Sequence, residues 1–263
     1  MTLSNAFSPT NFLPDVVRPA VRVVSIDESG QWLARGLADF RHAPGPSLLA
    51  GGFYSLIAFG ILVGLQWAGL ASLILPLCGG FILVAPLSAV LFYEISRRIE
   101  NGEPYPFRAT AAACLTKAGP LSAVGMVLML AMLVWILLAL VLFALFYGVS
   151  PPPLGDFFFG VLTAPQSMIF LAVGTVVGGT LASLVFALAA VSLPMILDRD
   201  VSALAAMATS IDAVNTNRAV MVGWAATIAF ITVCGLLTGF IGLAFTLPLL
   251  GYSTWHAYRA LVV

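Results

Sequence analysis

The sequence contains very few charged residues. Only 8% of its 263 residues are Asp, Glu, Lys or Arg, while 61% are hydrophobic, and the mean hydropathy is +1.07. Soluble globular domains carry about 25% charged residues, so the composition excludes that class and predicts an integral membrane protein in contact with membrane lipid. The formal net charge is zero. Because nucleic-acid binding requires a concentrated basic surface, we expect no nucleic-acid partner.

Residue types that bind metals or carry out catalysis are equally scarce. The two histidines, His42 and His256, have no metal-ligating neighbour at helical spacing, and a zinc site would need further ligands. The three cysteines, Cys78, Cys114 and Cys234, lack CxxC spacing, which favours free thiols. The sequence contains no P-loop, nucleophile elbow, HExxH or GxGxxG motif. We therefore predict that the protein is not an enzyme and has no catalytic, cofactor-binding or metal-binding residues.

Charged residues are also missing from the middle of the apolar blocks, where they would indicate an ion or proton path. Glu94 comes closest, at the end of one block. Arg97 and Arg98 follow it at helical pairing distance, so we predict a solvated ion pair at the membrane interface rather than a proton site.

The apolar blocks predict an all-α fold with six transmembrane helices. A hydrocarbon core of about 30 Å requires about 20 helical residues, and the block that begins near residue 47 is long enough for two spans. The predicted spans cover residues 47–68, 72–95, 120–148, 166–197, 219–239 and 242–259.

The basic residues predict the orientation of these spans. All eleven Lys and Arg residues lie on one side of the predicted bundle, and the connections near 68–72, 149–165 and 235–242 contain none. Short loops rich in Lys and Arg remain cytoplasmic. We therefore expect a multi-pass protein of the bacterial inner membrane with both termini in the cytoplasm.

The first 29 residues differ from the rest of the chain. Three prolines, Pro9, Pro14 and Pro19, interrupt any helix there, and no apolar core of a signal peptide is visible. We predict that residues 1–29 form a mobile cytoplasmic tail, with a short strand over Val21–Ile26, and that residues 30–263 form the transmembrane domain.

A repeated pattern accompanies the spans. An amphipathic segment precedes each pair of spans, at Gln31–His42, Phe107–Gly119 and Val201–Asn217. Each pair also contains a proline near its end, at Pro86, Pro194 or Pro248. We predict three repeats of an interfacial helix plus a hairpin, around a pseudo-threefold axis. The alternative is that membrane hairpins resemble one another through shared composition alone.

Glycine and proline positions suggest how the helices pack. GxxxG pairs occur at Gly60/Gly64, Gly174/Gly178 and Gly235/Gly239. Small residues four apart let helices approach closely, and we predict internal packing rather than a homodimer face. The three prolines predict kinks, with a hinge as the alternative. The connection around Asp156 is expected to lie in the outer interface.

Four segments resemble a known family. They are Arg35–Asp39, Phe92–Pro104, Val191–Asp200 and Pro248–Arg259. Together they resemble the bacterial predicted integral membrane proteins called domain of unknown function 2189. The resemblance implies six spans in the inner membrane and no established activity. Members are sometimes labelled subunit I of cytochrome c oxidase, but such a subunit needs several histidines inside its spans, and this sequence offers none there.

Two functional hypotheses follow. The leading one is a non-enzymatic accessory, assembly or scaffold component that binds a membrane protein complex, with a complex near a respiratory oxidase as one candidate. The alternative is a carrier or channel for a small or lipid-like apolar molecule. A cavity between the helices, lined by the mid-span threonines Thr175, Thr180, Thr227 and Thr232, would favour the alternative, and a tightly packed bundle would argue against it.

Overall fold

The computed structural model describes residues 19–148, 160–161 and 163–263. The predicted outer connection around Asp156 and residues 1–18 of the predicted tail lie outside this range. The described chain is helical, as predicted, and its β structure is a single bridge between Val21 and Val262. The helices are α1 Glu28–His42, α2 Pro44–Trp67, a 3-10 turn Ala71–Leu73, α3 Ile74–Ser88, α4 Val90–Glu100, α5 Phe107–Thr116, α6 Ala118–Tyr147, α7 Ser167–Ala189, α8 Ser192–Asp198, α9 Ala203–Thr216, α10 Arg218–Leu237 and α11 Leu243–Leu261.

Five helical segments are long and apolar enough to cross a membrane. Each contains at least 20 residues, about the length that spans the hydrocarbon core, and they agree with the first five predicted spans to within a few residues. They are Pro44–Trp67, Ala71–Glu100, Ala118–Tyr147, Ser167–Asp198 and Arg218–Leu237.

The sixth predicted span, 242–259, is a helix of a different character. Helix α11 is not among the candidate spans, because its second half carries polar groups that include His256 and Arg259. Most of its side chains are buried, and it packs against α1, α2, α4 and α10. The surrounding helices, rather than lipid, therefore solvate its polar half.

The two described ends of the chain lie side by side. The Arg22 amide donates to the Leu261 carbonyl at 2.9 Å, and the Val263 amide donates to the Ala20 carbonyl at the same distance. Asn217 secures the same segment, because its side chain accepts from the Val24 amide and donates to the Arg22 carbonyl, both at 2.9 Å. The packed part of the chain thus begins before residue 30, and the short strand predicted there is only a bridge.

Glycines permit the closest helix approaches around α11. A side chain at Gly36 in α1 would overlap Ser253, one at Gly51 in α2 would overlap the Ala244 carbonyl, and one at Gly251 would overlap the Phe92 side chain. These glycines let α1, α2 and α4 approach α11 at distances that a β-carbon would prevent.

The prediction that the GxxxG pairs pack internally is wrong for Gly60/Gly64, and in each of the other two pairs one glycine, Gly178 or Gly235, packs against a neighbouring side chain. Nothing in the described chain lies near Gly60, Gly64 or Gly174. Gly79, Gly80 and Gly178 surround the indole of Trp135 in α6. The spacing alone could not identify the packed face, since lipid can cover a glycine face as readily as a helix can.

The interfacial helices α1, α5 and α9 occur where the sequence predicted them. In α1 the pattern predicted an apolar face of Trp32, Leu33, Gly36, Leu37 and Phe40, and Trp32, Gly36 and Phe40 are buried. In α9 helical spacing predicted a buried face that includes Leu204 and Ile211, and this is wrong: Leu204 is 59% exposed and Ile211 is 37% exposed. Its buried face consists of smaller residues: Ala205, Ala206, Thr209, Ser210 and Ala213. Large apolar side chains can remain uncovered at a membrane interface, whereas close helix packing favours small ones.

The three prolines have different surroundings. Pro194 follows an interruption between α7 and α8 at residues 190–191, where its ring would clash with the carbonyl four residues earlier. Pro86 precedes the break between α3 and α4, which lies at Ala89. Pro248 lies inside the continuous helix α11.

Candidate functional site

A cavity of about 400 Å³ opens between α3, α7, α10 and α11. Phe81 and Pro86 of α3 form one wall, and the side chains of α11 form another. Small side chains provide much of the space, and they lie mainly on α7 and α10: Ala182, Ala189, Ala190, Ala225, Ala226 and Ala229. The volume falls within the usual range for small-molecule sites, about 300–1,000 Å³.

The cavity wall is overwhelmingly apolar. Among the described residues that line it, none is Asp, Glu, Lys, Arg or His, and its polar groups are hydroxyls. An apolar wall without a charge suits an uncharged occupant, because a buried charge needs a partner. Lipid is the solvent around most of these helices, so molecules of the bilayer are the nearest source of occupants.

Three hydroxyl side chains in the wall have no hydrogen-bond partner among the described residues. They are Tyr93 of α4, Thr232 of α10 and Thr254 of α11, whose residues are 2%, 6% and 8% exposed. A fourth, Thr246, has its hydroxyl oxygen buried against α10 and also unpaired. Ser183 also lines the cavity, but its hydroxyl is bonded within α7, so these four are the unpaired polar groups of the wall.

Other hydroxyls on the same helices behave differently. Thr180 and Ser183 of α7 donate to the carbonyls of Val176 and Gly179, at 2.8 and 2.7 Å. Thr227 of α10 donates to the Gly223 carbonyl at 2.9 Å. Such bonds to the preceding turn are the usual solution for a hydroxyl in a helix, so the unpaired groups of the cavity depart from the pattern of the surrounding helices.

Of the four threonines expected to line a cavity, the structure places only Thr232 there. Thr175, Thr180 and Thr227 are not in the cavity wall. Tyr93 and Thr254 could not be predicted from the sequence, because a hydroxyl near the polar end of a span is common and the pattern does not reveal which helix face it occupies.

A layer of paired charges, the polar layer, adjoins one end of the cavity, where Glu94 follows Tyr93 in the chain. Glu94 accepts hydrogen bonds from Arg97 at 2.8 and 2.9 Å and from Arg98 at 2.7 Å. The predicted pairing is present, but the prediction that it is solvated is wrong, since the Glu94 side chain is 1% exposed. Burial is tolerated because both carboxylate oxygens are bonded to guanidinium groups.

The same layer contains a second set of polar contacts. His256 Nε2 lies 2.8 Å from Asp39 Oδ2, and the Ser96 hydroxyl donates to the same carboxylate oxygen. His42 contacts a different residue, the ring of Tyr105. In the part of the chain that the structure describes, no three His, Cys, Asp or Glu side chains are grouped as metal ligands.

The last helix completes the polar layer. Asp198 accepts from the Tyr258 hydroxyl at 2.6 Å and from Arg259 at 3.2 Å. Glu100 accepts from the Trp255 indole at 2.8 Å and from Arg259 at 3.1 Å. These bonds join α4, α8 and α11 at one end of the molecule.

The cysteines are free thiols, as predicted. Cys114 in α5 packs against the polar layer, and burial, followed by the negative charge of Glu94, raises the pKa of its thiol to about 11. Such a thiol is protonated at neutral pH and is therefore a poor nucleophile.

Comparison with known families identifies part of the chain. Residues 73–198 match the family described as predicted integral membrane protein, DUF2189. This segment belongs to that family. The resemblance read from the sequence is thereby confirmed for α3 to α8, which supply the Phe81, Tyr93 and Ala182 side of the cavity, whereas α10 and α11 lie beyond the match. No curated protein and no solved structure matches the chain.

Proposed function

We propose that this membrane protein binds a lipid-like apolar molecule in the cavity between α3, α7, α10 and α11, as a carrier, and that it performs no chemical reaction. The observation that supports the proposal is the cavity itself: about 400 Å³ of space with an uncharged wall, among helices that are apolar enough to lie in a bilayer.

The cavity changes the order of the two hypotheses drawn from the sequence. A bundle packed to the usual density of a protein interior would leave few voids larger than a water molecule, and would argue against a carrier. Here alanines on α7 and α10 keep space open where larger apolar residues would close it. The cavity would take one acyl or isoprenoid chain rather than a whole phospholipid.

Two variants of α7 test this proposal. Ala182→Phe places a ring in the cavity wall, whereas Ala172→Phe places the same ring on an exposed position of that helix. Native mass spectrometry of protein extracted from its own membranes should detect an apolar molecule bound to the wild type and to Ala172→Phe, and little or none bound to Ala182→Phe. Identical bound species in all three proteins would contradict the proposal.

An accessory or scaffold role is the second candidate. It is favoured by the exposed face of α2 at Gly60 and Gly64, where no described residue covers the helix. Such a face permits close approach by a helix of a partner membrane protein. Quantitative mass spectrometry of what co-purifies with a tagged copy tests this role. A stoichiometric partner lost in Gly60→Leu would support it, and the same recovery with wild type and variant would not.

We further propose that α11 is a sixth crossing and that both ends are cytoplasmic, in the bacterial inner membrane. Two observations support this: the described ends are hydrogen-bonded to each other, which implies an even number of crossings, and the basic residues are all on one side. In a variant without the natural cysteines, an impermeant maleimide added to intact cells should label Ile241→Cys but not Ser25→Cys. The reverse labelling would reject this topology.

The threefold repeat is proposed on the order of the helices. Each of the short helices α1, α5 and α9 directly precedes a long one, α2, α6 or α10, with a one-residue break. An experimental structure in lipid would test the repeat, since the three units should superpose, and units of unrelated geometry would dismiss it.

A further inference from the structure

The unpaired hydroxyls of the cavity indicate which polar groups its occupant has. A hydroxyl buried in a membrane protein has no water to satisfy it, so it bonds to protein or to a ligand. Tyr93 and Thr254 lie near the same end of the cavity, since the neighbouring residues Phe92 and Gly251 are in contact where α4 meets α11. Two hydroxyl donors without partners therefore lie at one end of an apolar space.

The position of these hydroxyls is not explained by packing alone. Phenylalanine and valine would fill nearly the same space as Tyr93 and Thr254 without leaving a buried polar group unsatisfied. Two other buried tyrosines are paired: Tyr147 donates to the Val161 carbonyl at 2.8 Å, and Tyr252 lies 2.6 Å from the Ser47 hydroxyl. Outside the cavity, the polar side-chain atoms of Ser192 and Trp224 are also buried without a partner among the described residues.

We propose that the occupant is an uncharged amphiphilic lipid, whose carbonyl or hydroxyl group bonds to Tyr93 and Thr254 while its hydrocarbon chain extends toward Thr232. This inference rests on the proposed function, because it names the chemistry of the molecule that the cavity binds. The donors select an oxygen acceptor, and the alanines of α7 and α10 accommodate the chain.

The charges near the cavity argue against an ionised head group. Glu94 is neutralised by Arg97 and Arg98, and Asp39 is bonded to His256 and Ser96. These groups bind one another, and none of them is in the cavity wall. A carboxylate or phosphate placed beside Tyr93 would be desolvated without a countercharge, at a cost that a neutral ester or alcohol avoids.

The lipid would enter from the bilayer. Helices α7 and α10 both line the cavity but are not packed along each other. Val222 of α10 lines the cavity and is nevertheless 69% exposed, and Leu184 of α7, beside the lining residues, is 60% exposed. A chain from the surrounding membrane can therefore reach the cavity sideways.

Two probes of similar chain length separate the head group from the chain. 1-Monooleoylglycerol has a hydrocarbon chain with an ester and two hydroxyls, and 1-octadecene has a chain alone. Their dissociation constants would be measured by native mass spectrometry of the full-length protein in lipid nanodiscs. We expect wild type to bind 1-monooleoylglycerol at least tenfold more tightly than 1-octadecene, since two hydrogen bonds in a dry site are worth about that factor or more.

The double variant Tyr93→Phe, Thr254→Val should lose this preference. We expect its affinity for 1-monooleoylglycerol to fall about tenfold, with that for 1-octadecene unchanged, which also shows that the variant is folded. The matched control Tyr105→Phe, Thr180→Val removes the same hydroxyls at positions outside the cavity and should keep the preference.

The possible results distinguish failure of the head-group site from failure of the proposed function. Equal binding of 1-monooleoylglycerol to wild type and double variant would overturn the proposed head-group site. If wild type binds both probes equally well and Ala182→Phe abolishes the binding of both, the head-group inference falls while the proposed function stands. If wild type binds neither probe, both fall.

Discussion

The polar layer and the long apolar helices differ in how much of their surface other parts of the protein bury. In the Ser167–Asp198 segment, which runs into the polar layer, 56% of the most apolar window is buried, whereas in Ala118–Tyr147 the figure is 6%. Yet the second segment is the more hydrophobic of the two. In a bilayer, lipid can cover leucine as well as protein can, so close packing occurs where polar groups need partners and not where the sequence is most apolar.

Glycine substitutions should give the largest difference in stability between the packed and the lipid-facing parts of the protein. Gly36→Leu should prevent α1 from reaching Ser253 of α11 and destabilise the fold by about 3 kcal/mol or more, since the overlap involves backbone atoms. Gly60→Leu inserts the same side chain on an open face and should change stability little. Thermal unfolding in detergent measures both, and equal losses would contradict the contrast.

The next largest effect concerns the buried carboxylate. Glu94→Ala leaves Arg97 and Arg98, whose side chains are 23% and 14% exposed, with the longer ion pairs to Glu103, and should cost about 3 kcal/mol. Glu103→Ala removes a carboxylate that is 41% exposed and longer in its contacts, and should cost less than about 1 kcal/mol. The same unfolding assay compares them. Similar costs would mean that burial of the pair matters little.

Two leucines of α6 allow a buried and an exposed position to be compared within one helix. Leu128 of α6 is fully buried, and Leu133 of the same helix is 58% exposed. Leu128→Ala should destabilise the protein by about 2–3 kcal/mol through the lost contacts and the void it leaves, whereas Leu133→Ala should have an effect below about 0.5 kcal/mol. If Leu133→Ala were the more harmful, an oligomer or partner would have to cover that face.

The smallest effect tests the surroundings of α5. Because the pKa of Cys114 is raised to about 11, its thiolate is scarcer at pH 7 than that of an ordinary cysteine with a pKa near 8.5. Alkylation by iodoacetamide should therefore be slow and rise about tenfold per pH unit up to about pH 11. In a protein lacking the other cysteines, Ala112→Cys with Cys114→Ser provides the exposed control. A plateau near pH 9 at Cys114 would show that it is not buried.

The sequence predicted the parts of this fold that depend on hydropathy and length. The five apolar segments and the interfacial helices follow directly from runs of residues such as Leu121–Tyr147. It could not predict which faces pack, since lipid and protein are equally apolar to a side chain such as Leu204 or Leu128. The proximity of the Tyr93 and Thr254 hydroxyls could not be predicted either, because contacts between α4 and α11 bring together residues about 160 positions apart.

The most direct test of the proposed site is an experimental structure by electron cryomicroscopy in nanodiscs made from native lipid. The cavity should contain elongated density between α3, α7 and α10, ending within hydrogen-bond distance of the Tyr93 hydroxyl. A structure in which Ala182 of α7 touches Ala225 of α10, with no space and no density between them, would contradict the account.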